Sequence, residues 1–169
     1  MTWREETEKQ VLAIQRARPV IVACGVVYGH GGGGMPHLIC DAPRTASGAL
    51  TLIGDGSQHW TTVHVDDLAD LYVRALLSGR AGARYIASNG DNPTVRELGE
   101  AAARAAGGDG AVQAESEAAT RARLGDLLAE AVLLDEQASG ERARTELGWR
   151  PTQPTLAHEF EHGSYVPSR

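Results

Sequence analysis

The sequence of 169 residues has little lysine and no long apolar run. Lys9 is the only lysine, so the positive charge is almost all arginine, and the formal net charge is −6. We expect no nucleic-acid partner, because nonspecific binding needs basic side chains that neutralise phosphates. A membrane span needs about 18 consecutive apolar residues, and none is present, so no membrane partner is expected either.

The chain also has only two cysteines, Cys24 and Cys40, too few for a disulfide framework. Cys24 lies in an apolar run, which favours an inert thiol over a nucleophile. The first nine residues are charged and lack the apolar core of a signal peptide, so we expect a cytoplasmic protein. The length and the 42% hydrophobic content predict one domain over residues 1–169.

Short apolar runs alternate with helical patterns, which predicts an α/β fold. Residues 19–24 form an unbroken apolar run, typical of a strand covered on both faces in a parallel sheet. The other predicted strands are 50–53, 61–65 and 85–87. The predicted helices are 5–17, a short one from 36 to 42, 94–106, 115–134 with a break near Gly125, 139–147 and 156–162. The residues Thr94-Val-Arg-Glu97 have the form of a capping box at the start of the helix 94–106.

Residues 53–72 carry the densest pattern in the chain. A Gly-Asp-Gly turn precedes the β-branched strand 61–65. Asp66 or Asp67 then stands where a helix N-cap is expected, since a carboxylate there accepts free backbone N–H groups. An apolar helical stripe follows at Leu68, Leu71, Tyr72, Ala75 and Leu76.

The glycine tract 29–34 matches the dinucleotide pattern G-x-G-x-x-G and follows a strand. A dinucleotide site needs an acidic residue about 20 positions on, at the end of the next strand. The candidate acid here is Asp55, which lies inside the Gly-Asp-Gly turn, and Pro36 falls where the helix should already run. We therefore interpret the tract as a flexible loop.

Residues 158–162 match the zinc pattern H-E-x-x-H, which on a helix places two imidazoles on one face and a glutamate as general base. Only seven residues follow the motif, so no downstream helix could supply a third ligand. The alternative is a terminal amphipathic helix anchored by Phe160 with solvated histidines. We expect no metal site, and a zinc hydrolase remains a distant alternative.

Five motifs occur in order along the chain: V-Y-G at 27–29, G-D-G at 54–56, V-H-V-D-D-L-A at 63–69, N-P-T-V-R-E at 92–97 and L-G-W-R-P at 147–151. Together they resemble the C-terminal half of an extended short-chain dehydrogenase/reductase, the NAD-dependent epimerase/dehydratase family. The resemblance implies a partial Rossmann-like parallel sheet, made of the family's C-terminal strands, with a small, mostly helical substrate-binding lobe. In the family, NAD(P) binds the N-terminal Rossmann half, and the substrate binds mainly the C-terminal half.

The chain departs from the family pattern in its catalytic residues. No Y-x-x-x-K is present. Glu8 fits the glutamate that follows the family's lysine, which would put the lysine position at Arg4 and the tyrosine just before Met1. We therefore expect the dinucleotide-binding half and the catalytic tyrosine to be absent, and we assign no catalytic residue within this chain.

The resemblance assigns binding roles to seven residues. The cofactor-binding candidates are Arg4, which could donate to a ribose, Cys24 and Val27. The substrate-binding candidates are Tyr28, Gly29, Trp60 and His64.

Alternatives remain open for three of these candidates. Tyr28 and Trp60 could equally be core aromatics. His64, beside Asp66, could make a structural hydrogen bond. Trp60 replaces a family arginine that binds the phosphate of nucleotide sugars, so we expect a smaller or less charged substrate.

The sequence thus predicts the substrate-side portion of an NAD(P)-dependent epimerase, dehydratase or reductase, inactive in hydride transfer alone. NAD or NADP is expected only if an N-terminal half is supplied, and no cofactor is expected for this chain by itself. The expected partners are a small-molecule substrate and either a complementing Rossmann half or further copies of the chain. The alternative is a non-enzymatic binding module or a degenerate fragment.

Overall fold

Short parallel strands lie at the centre of the fold. The computed structural model describes residues 2–167. Its strands are β1 (Ile21–Cys24), β2 (Val26–Tyr28), β3 (Leu50–Thr51), β4 (Thr62–His64), β5 (Arg84–Ala87) and β6 (Val112–Gln113). They pair as β1 with β5, β2 with β4 and β3 with β6, and every pair is parallel. The predicted α/β class with a partial parallel sheet is confirmed.

Helices separate the strands and dominate the second half of the described residues. They are α1 (Thr2–Leu12), α2 (Gly34–Cys40), α3 (Val65–Ser78), α4 (Val95–Ala105), α5 (Glu117–Leu124), α6 (Asp126–Val132), α7 (Glu141–Leu147) and α8 (Leu156–His162). The predicted break at Gly125 separates α5 from α6, where this residue has a positive φ of 80°. Helix α1 ends at Leu12 and not at residue 17, because Val11 and Ile14 are exposed and provide no packing that would extend it.

The chain passes from β1 into β2 by changing its partner strand at Gly25. The Gly25 amide donates to the Ala87 carbonyl (3.3 Å), whereas the Val26 amide donates to the Thr61 carbonyl (2.7 Å). Successive amides of a strand face opposite edges, so β5 and β4 lie on opposite edges of this segment. Gly25 is required there, because a Cβ atom would overlap the Thr61 carbonyl.

One edge of β1 is open. The amides of Ile21 and Gly25 point toward β5 and donate to the carbonyls of Ala83 and Ala87. The backbone groups of Val22 and Cys24 therefore face the other edge. No strand among residues 2–167 pairs with that edge.

Two apolar clusters form the core. The larger one contains Tyr28, Trp60 and Phe160, and the smaller one contains Tyr85 and Trp149. Helix α4 packs mainly against α8, and α3 packs against β1, β2, β4 and α7. The second half of the described residues is thus a helical layer around the ends of the short strands.

The apolar stripe predicted on α3 is only partly correct. Leu68, Leu71 and Ala75 are buried, as expected. Tyr72 and Leu76 are 50% and 74% exposed, because they lie on the face that turns away from the core. This leaves an apolar surface beside the open edge of β1.

The predicted N-cap of α3 is wrong. His64 is the N-cap, and its Nδ1 accepts a hydrogen bond from the Asp66 amide (3.2 Å). Asp67 is buried, and its carboxylate accepts from the amides of Thr152 (2.9 Å) and Gln153 (3.1 Å). The Trp149 indole donates to the Asp67 carbonyl (2.9 Å), so the motif at 63–69 is bonded directly to the motif at 147–151 and the two residues that follow it.

The capping box predicted for α4 is confirmed. The Thr94 hydroxyl accepts from the Glu97 amide (3.1 Å), and the Glu97 carboxylate accepts from the Thr94 amide (2.8 Å). None of the helices within residues 2–167 is long and apolar enough to cross a membrane.

Candidate functional site

The candidate site lies where β2 and β4 end. Tyr28 and His64 are the last residues of these two strands and stand opposite each other in the parallel ladder. The chain continues to Gly29 and His30 after β2, and to Asp66 in the first turn of α3. The carboxyl ends of parallel strands are the usual position of ligands in open α/β sheets.

Tyr28 forms the buried floor of this site. Its hydroxyl donates to the Pro154 carbonyl (2.6 Å) and accepts from the Asn89 side-chain amide (3.2 Å), and its ring packs edge-on against the His64 imidazole. Desolvation raises the pKa of the Tyr28 hydroxyl far above its ordinary value, although the Asn89 hydrogen bond opposes this. The Tyr28 hydroxyl is therefore neutral, and both hydrogen bonds hold it in place.

His64 is buried between Tyr28 and the chain at Gly29. Its Nδ1 accepts from the Asp66 amide, so the proton of the neutral ring is assigned to Nε2. Gly29 has a φ of 124°, and a Cβ atom there would overlap the His64 imidazole. The resemblance placed both residues in the substrate site, and the fold brings them into contact.

His30 and Asp66 form the exposed rim of the site. His30 Nε2 lies 3.1 Å and 3.0 Å from the two carboxylate oxygens of Asp66, and His64 Nδ1 lies 3.7 Å from Oδ2. Within residues 2–167, these three residues are the one group whose donor atoms are close enough together to hold a metal ion. His30 is not among the predicted site residues, and its only signal in the sequence is its position directly after V-Y-G.

The C-terminal segment holds the glycine tract that follows β2. The Gly29 amide donates to the Tyr165 hydroxyl (2.8 Å), which in turn donates to the Gly32 carbonyl, and the Gly31 amide donates to Ser164 Oγ (2.7 Å). The tract was predicted to be a flexible loop, but these hydrogen bonds constrain it. No spacing rule links residues 164 and 165 to residue 29, so these contacts could not be predicted from local sequence patterns.

The remaining substrate candidate, Trp60, lies in the core. It is 3% exposed, and its indole N–H donates to the Val132 carbonyl (3.1 Å). This is the core role that the sequence left open as an alternative. In this conformation Trp60 has no surface for a ligand.

Of the three cofactor candidates, Cys24 and Val27 lie on the segment that leads into the site, whereas Arg4 lies on α1. Cys24 is exposed, at the end of β1, and borders a shallow cleft of about 350 Å³ with Gly25 and Thr61. Val27 is half-buried against the smaller core cluster. Arg4 is exposed on α1, and its Nε lies 3.2 Å from the Glu8 carboxylate.

The H-E-x-x-H segment forms α8, and Phe160 anchors it in the core as expected. The rings of His158 and His162 lie 5.0 Å apart. Glu159 accepts from the Ser164 amide (3.0 Å) and hydroxyl (2.7 Å). Although desolvation acts to raise it, these hydrogen bonds hold the pKa of Glu159 below its usual value. This carboxylate thus positions the segment that clamps the glycine tract.

The parallel strands, the crossover helices and the site at the strand ends define a Rossmann-like α/β protein. Residues 6–89 match the sequence profile of the NAD dependent epimerase/dehydratase family. The chain is also 34% identical over 136 residues to a UDP-glucose 4-epimerase of Mycolicibacterium smegmatis, covering 77% of this chain and 39% of that protein. The chain belongs to the NAD-dependent epimerase/dehydratase family.

Solved structures share the fold at low identity. RMD from Pseudomonas aeruginosa, solved with NADPH, is 20% identical with a TM-score of 0.71, over 98% of this chain and 54% of that one. DesIV from Streptomyces venezuelae, a dTDP-glucose 4,6-dehydratase solved with NAD, is 23% identical with a TM-score of 0.67, over 98% of this chain and 49% of that one. The chain thus spans between two fifths and just over half of these relatives.

Proposed function

We propose that this chain is the substrate-side portion of an NAD(P)-dependent epimerase, dehydratase or reductase, and that it forms one domain over residues 1–169. By itself it does not transfer hydride, and it acts when a dinucleotide-binding Rossmann half continues its sheet. The observation that carries this proposal is the open edge of β1, where no strand among residues 2–167 pairs with the backbone groups of Val22 and Cys24. An unpaired strand edge is a template for a further strand.

The surface beside the open edge supports the same partner. A groove of about 440 Å³ lies between β1 and α3, and we call it the β1–α3 groove. It is lined by Ala17, Arg18, Val20, Val22, Tyr72, Ala75 and Leu76. Parallel sheets are normally covered on both faces, so an apolar face next to an unpaired edge fits the continuation of the same sheet by a second half.

NAD or NADP would bind across the junction of the two halves. The relatives solved with NAD and NADPH support this type of cofactor. On this chain, Cys24 and Val27 belong to the segment that enters the site, and Arg4 would donate to the ribose if the Rossmann half places it there. Arginine would bind the ribose through a planar guanidinium group, whereas the lysine of the family pattern carries a compact ammonium group.

The substrate would meet the chain at the ends of β2 and β4. The His64 imidazole fills the space that a side chain at Gly29 would occupy, and the buried Tyr28 packs against that ring. The buried Trp60 at the position of the family arginine leaves no cation for a phosphate there. These features favour a small substrate with hydroxyl or carbonyl groups over a nucleotide sugar.

Isothermal titration with NAD(H) and NADP(H) tests the proposal. We expect no binding stronger than about 1 mM by this chain alone, and micromolar binding after addition of a Rossmann half, such as that of the mycolicibacterial relative. Leu76→Asp places a charge in the β1–α3 groove and should prevent the association. Leu127→Asp is the matched control, because Leu127 is also largely exposed but lies on α6.

Two results would contradict the proposal. Micromolar coenzyme binding by the chain alone would show that no second half is needed. A stable monomer in size-exclusion chromatography, unchanged when the Rossmann half is added, would favour the alternative of an independent binding module.

A further inference from the structure

We propose that His30, His64 and Asp66 form a binding site for a divalent transition-metal ion of the zinc type, with its fourth position open to solvent. His30 and Asp66 are 36 residues apart in the sequence, and no motif links them. The proposal is independent of coenzyme binding and of the β1–α3 groove. It concerns the exposed rim above Tyr28.

The distances between the donor atoms fit such an ion. Ligands at 2.0–2.2 Å from a tetrahedral zinc ion lie about 3.3 Å from one another. His30 Nε2 and His64 Nδ1 lie 3.0 Å and 3.7 Å from the same Asp66 oxygen. The candidate donor atoms all lie within 4.8 Å of one another, so the widest pair would have to approach by at most about 1.5 Å.

The donor types select the metal. Two imidazoles and one carboxylate suit zinc and similar ions, whereas magnesium and calcium prefer oxygen ligands. The charge of the surroundings favours a cation, because the Asp66 carboxylate lies 3.0 Å from His30 and 3.7 Å from His64. Three protein ligands with an open fourth position are typical of zinc sites that exchange water or substrate.

The backbone at His30 directs its imidazole into the cluster. His30 has a φ of 53° and is the one residue other than glycine with a positive φ within residues 2–167. This region is unfavourable for most side chains, and such outliers often occur at functional sites. The backbone is fixed on both sides of His30, because the Gly29 amide donates to the Tyr165 hydroxyl and the Gly31 amide donates to Ser164 Oγ.

Metal binding competes with one weak hydrogen bond. Without metal, His64 Nδ1 accepts from the Asp66 amide at 3.2 Å, which is a long helix-capping bond. Replacing this hydrogen bond by a metal bond would affect only the first turn of α3, because the His64 side chain is 4% exposed and fixed by packing. His30 and Asp66 are exposed and can adjust to the ion.

Zinc titration of the full chain by calorimetry tests the site. A Cys24→Ser background removes the exposed thiol, and burial raises the pKa of the Cys40 thiol to about 12, which keeps it protonated. We expect one equivalent of Zn²⁺ to bind with micromolar affinity. Zinc at 100 times the dissociation constant should raise Tm by about 5–10 °C.

Single substitutions locate the ligands. His30→Ala and Asp66→Asn should each weaken zinc binding at least tenfold, and both residues are exposed, so circular dichroism should show an unchanged fold. A His158→Ala/His162→Ala double variant is the control and should bind zinc normally. Co²⁺ as a spectroscopic substitute should give a tetrahedral visible spectrum that His30→Ala abolishes.

Three outcomes would overturn the proposal. The first is no saturable zinc binding below about 100 µM. The second is binding that is unchanged in His30→Ala or in Asp66→Asn. The third is binding that is lost in the His158→Ala/His162→Ala variant, which would assign the metal to α8.

Discussion

Replacing Asp67 by alanine tests the connection between α3 and the segment that follows α7. The buried carboxylate accepts two backbone hydrogen bonds, from Thr152 (2.9 Å) and Gln153 (3.1 Å). A hydrogen bond to a charged group contributes about 1.5–3 kcal/mol. Both donor residues are exposed, so water can replace part of the loss, and we expect a destabilisation of about 2–3 kcal/mol, below the simple sum.

Asp70→Ala is the matched control for this substitution. Asp70 lies on the same helix, and its exposed carboxylate pairs with Arg74 one turn away at 2.6 Å. Such pairs contribute about 0.3–0.5 kcal/mol. Both substitutions gain similar helix propensity, so the difference between them isolates the two buried hydrogen bonds.

Urea unfolding followed by far-UV circular dichroism measures the effect. We expect Asp67→Ala to lower the midpoint with an unchanged m-value, and to lower Tm by about 5–10 °C. Asp67→Asn keeps one acceptor and should lose about half as much. If Asp67→Ala fell within about 0.5 kcal/mol of Asp70→Ala, the contacts with residues 149–153 would not stabilise the fold, and the reasoning would fail.

Three further substitutions test other parts of the fold. Gly29→Ala should cost about 2–3 kcal/mol in thermal unfolding, because the positive φ and the overlap with His64 both oppose a Cβ atom. Trp60→Arg restores the family's residue but should unfold the chain below 37 °C rather than create a phosphate site, since it buries a charge in the core; a folded variant that binds inorganic phosphate would contradict this. Hydrogen bonds from the Thr94 amide and hydroxyl hold the pKa of Glu97 below its usual value, so its contribution to stability is present above about pH 4.5 and is lost as the pH falls through the folded-state pKa. Glu97→Gln should therefore lose less stability than the wild type between about pH 5 and 3, and equal losses in urea titrations would refute the argument.

Local patterns predicted much of the fold. The capping box at Thr94 and the break at Gly125 depend on neighbouring residues, and both were correct. The predicted N-cap of α3 was wrong because of contacts with a distant part of the chain. Asp67 is the better capping residue by propensity, but distant amides use its carboxylate, and His64 takes over the cap.

The candidate site was predictable only in part. Tyr28, Gly29 and His64 follow from motifs that adjoin strand ends, and parallel pairing brings such ends together. His30 and Tyr165 join the site through contacts between remote segments, which no local spacing encodes. The sequence pattern therefore located the strand ends but not the groups that surround them.

The residues that identify the family are mostly fixed by internal bonds. Asp67 and Trp149, from two of its motifs, bond to each other's segments, and Tyr28 is closed off by Pro154 and Asn89. Groups able to change partners lie elsewhere, at the His30–Asp66 rim and at the open edge of β1. A substitution in a motif should therefore act mainly on stability, whereas one at the rim or the edge should act on binding with the fold intact. The contrast between Asp67→Ala and His30→Ala tests this division directly.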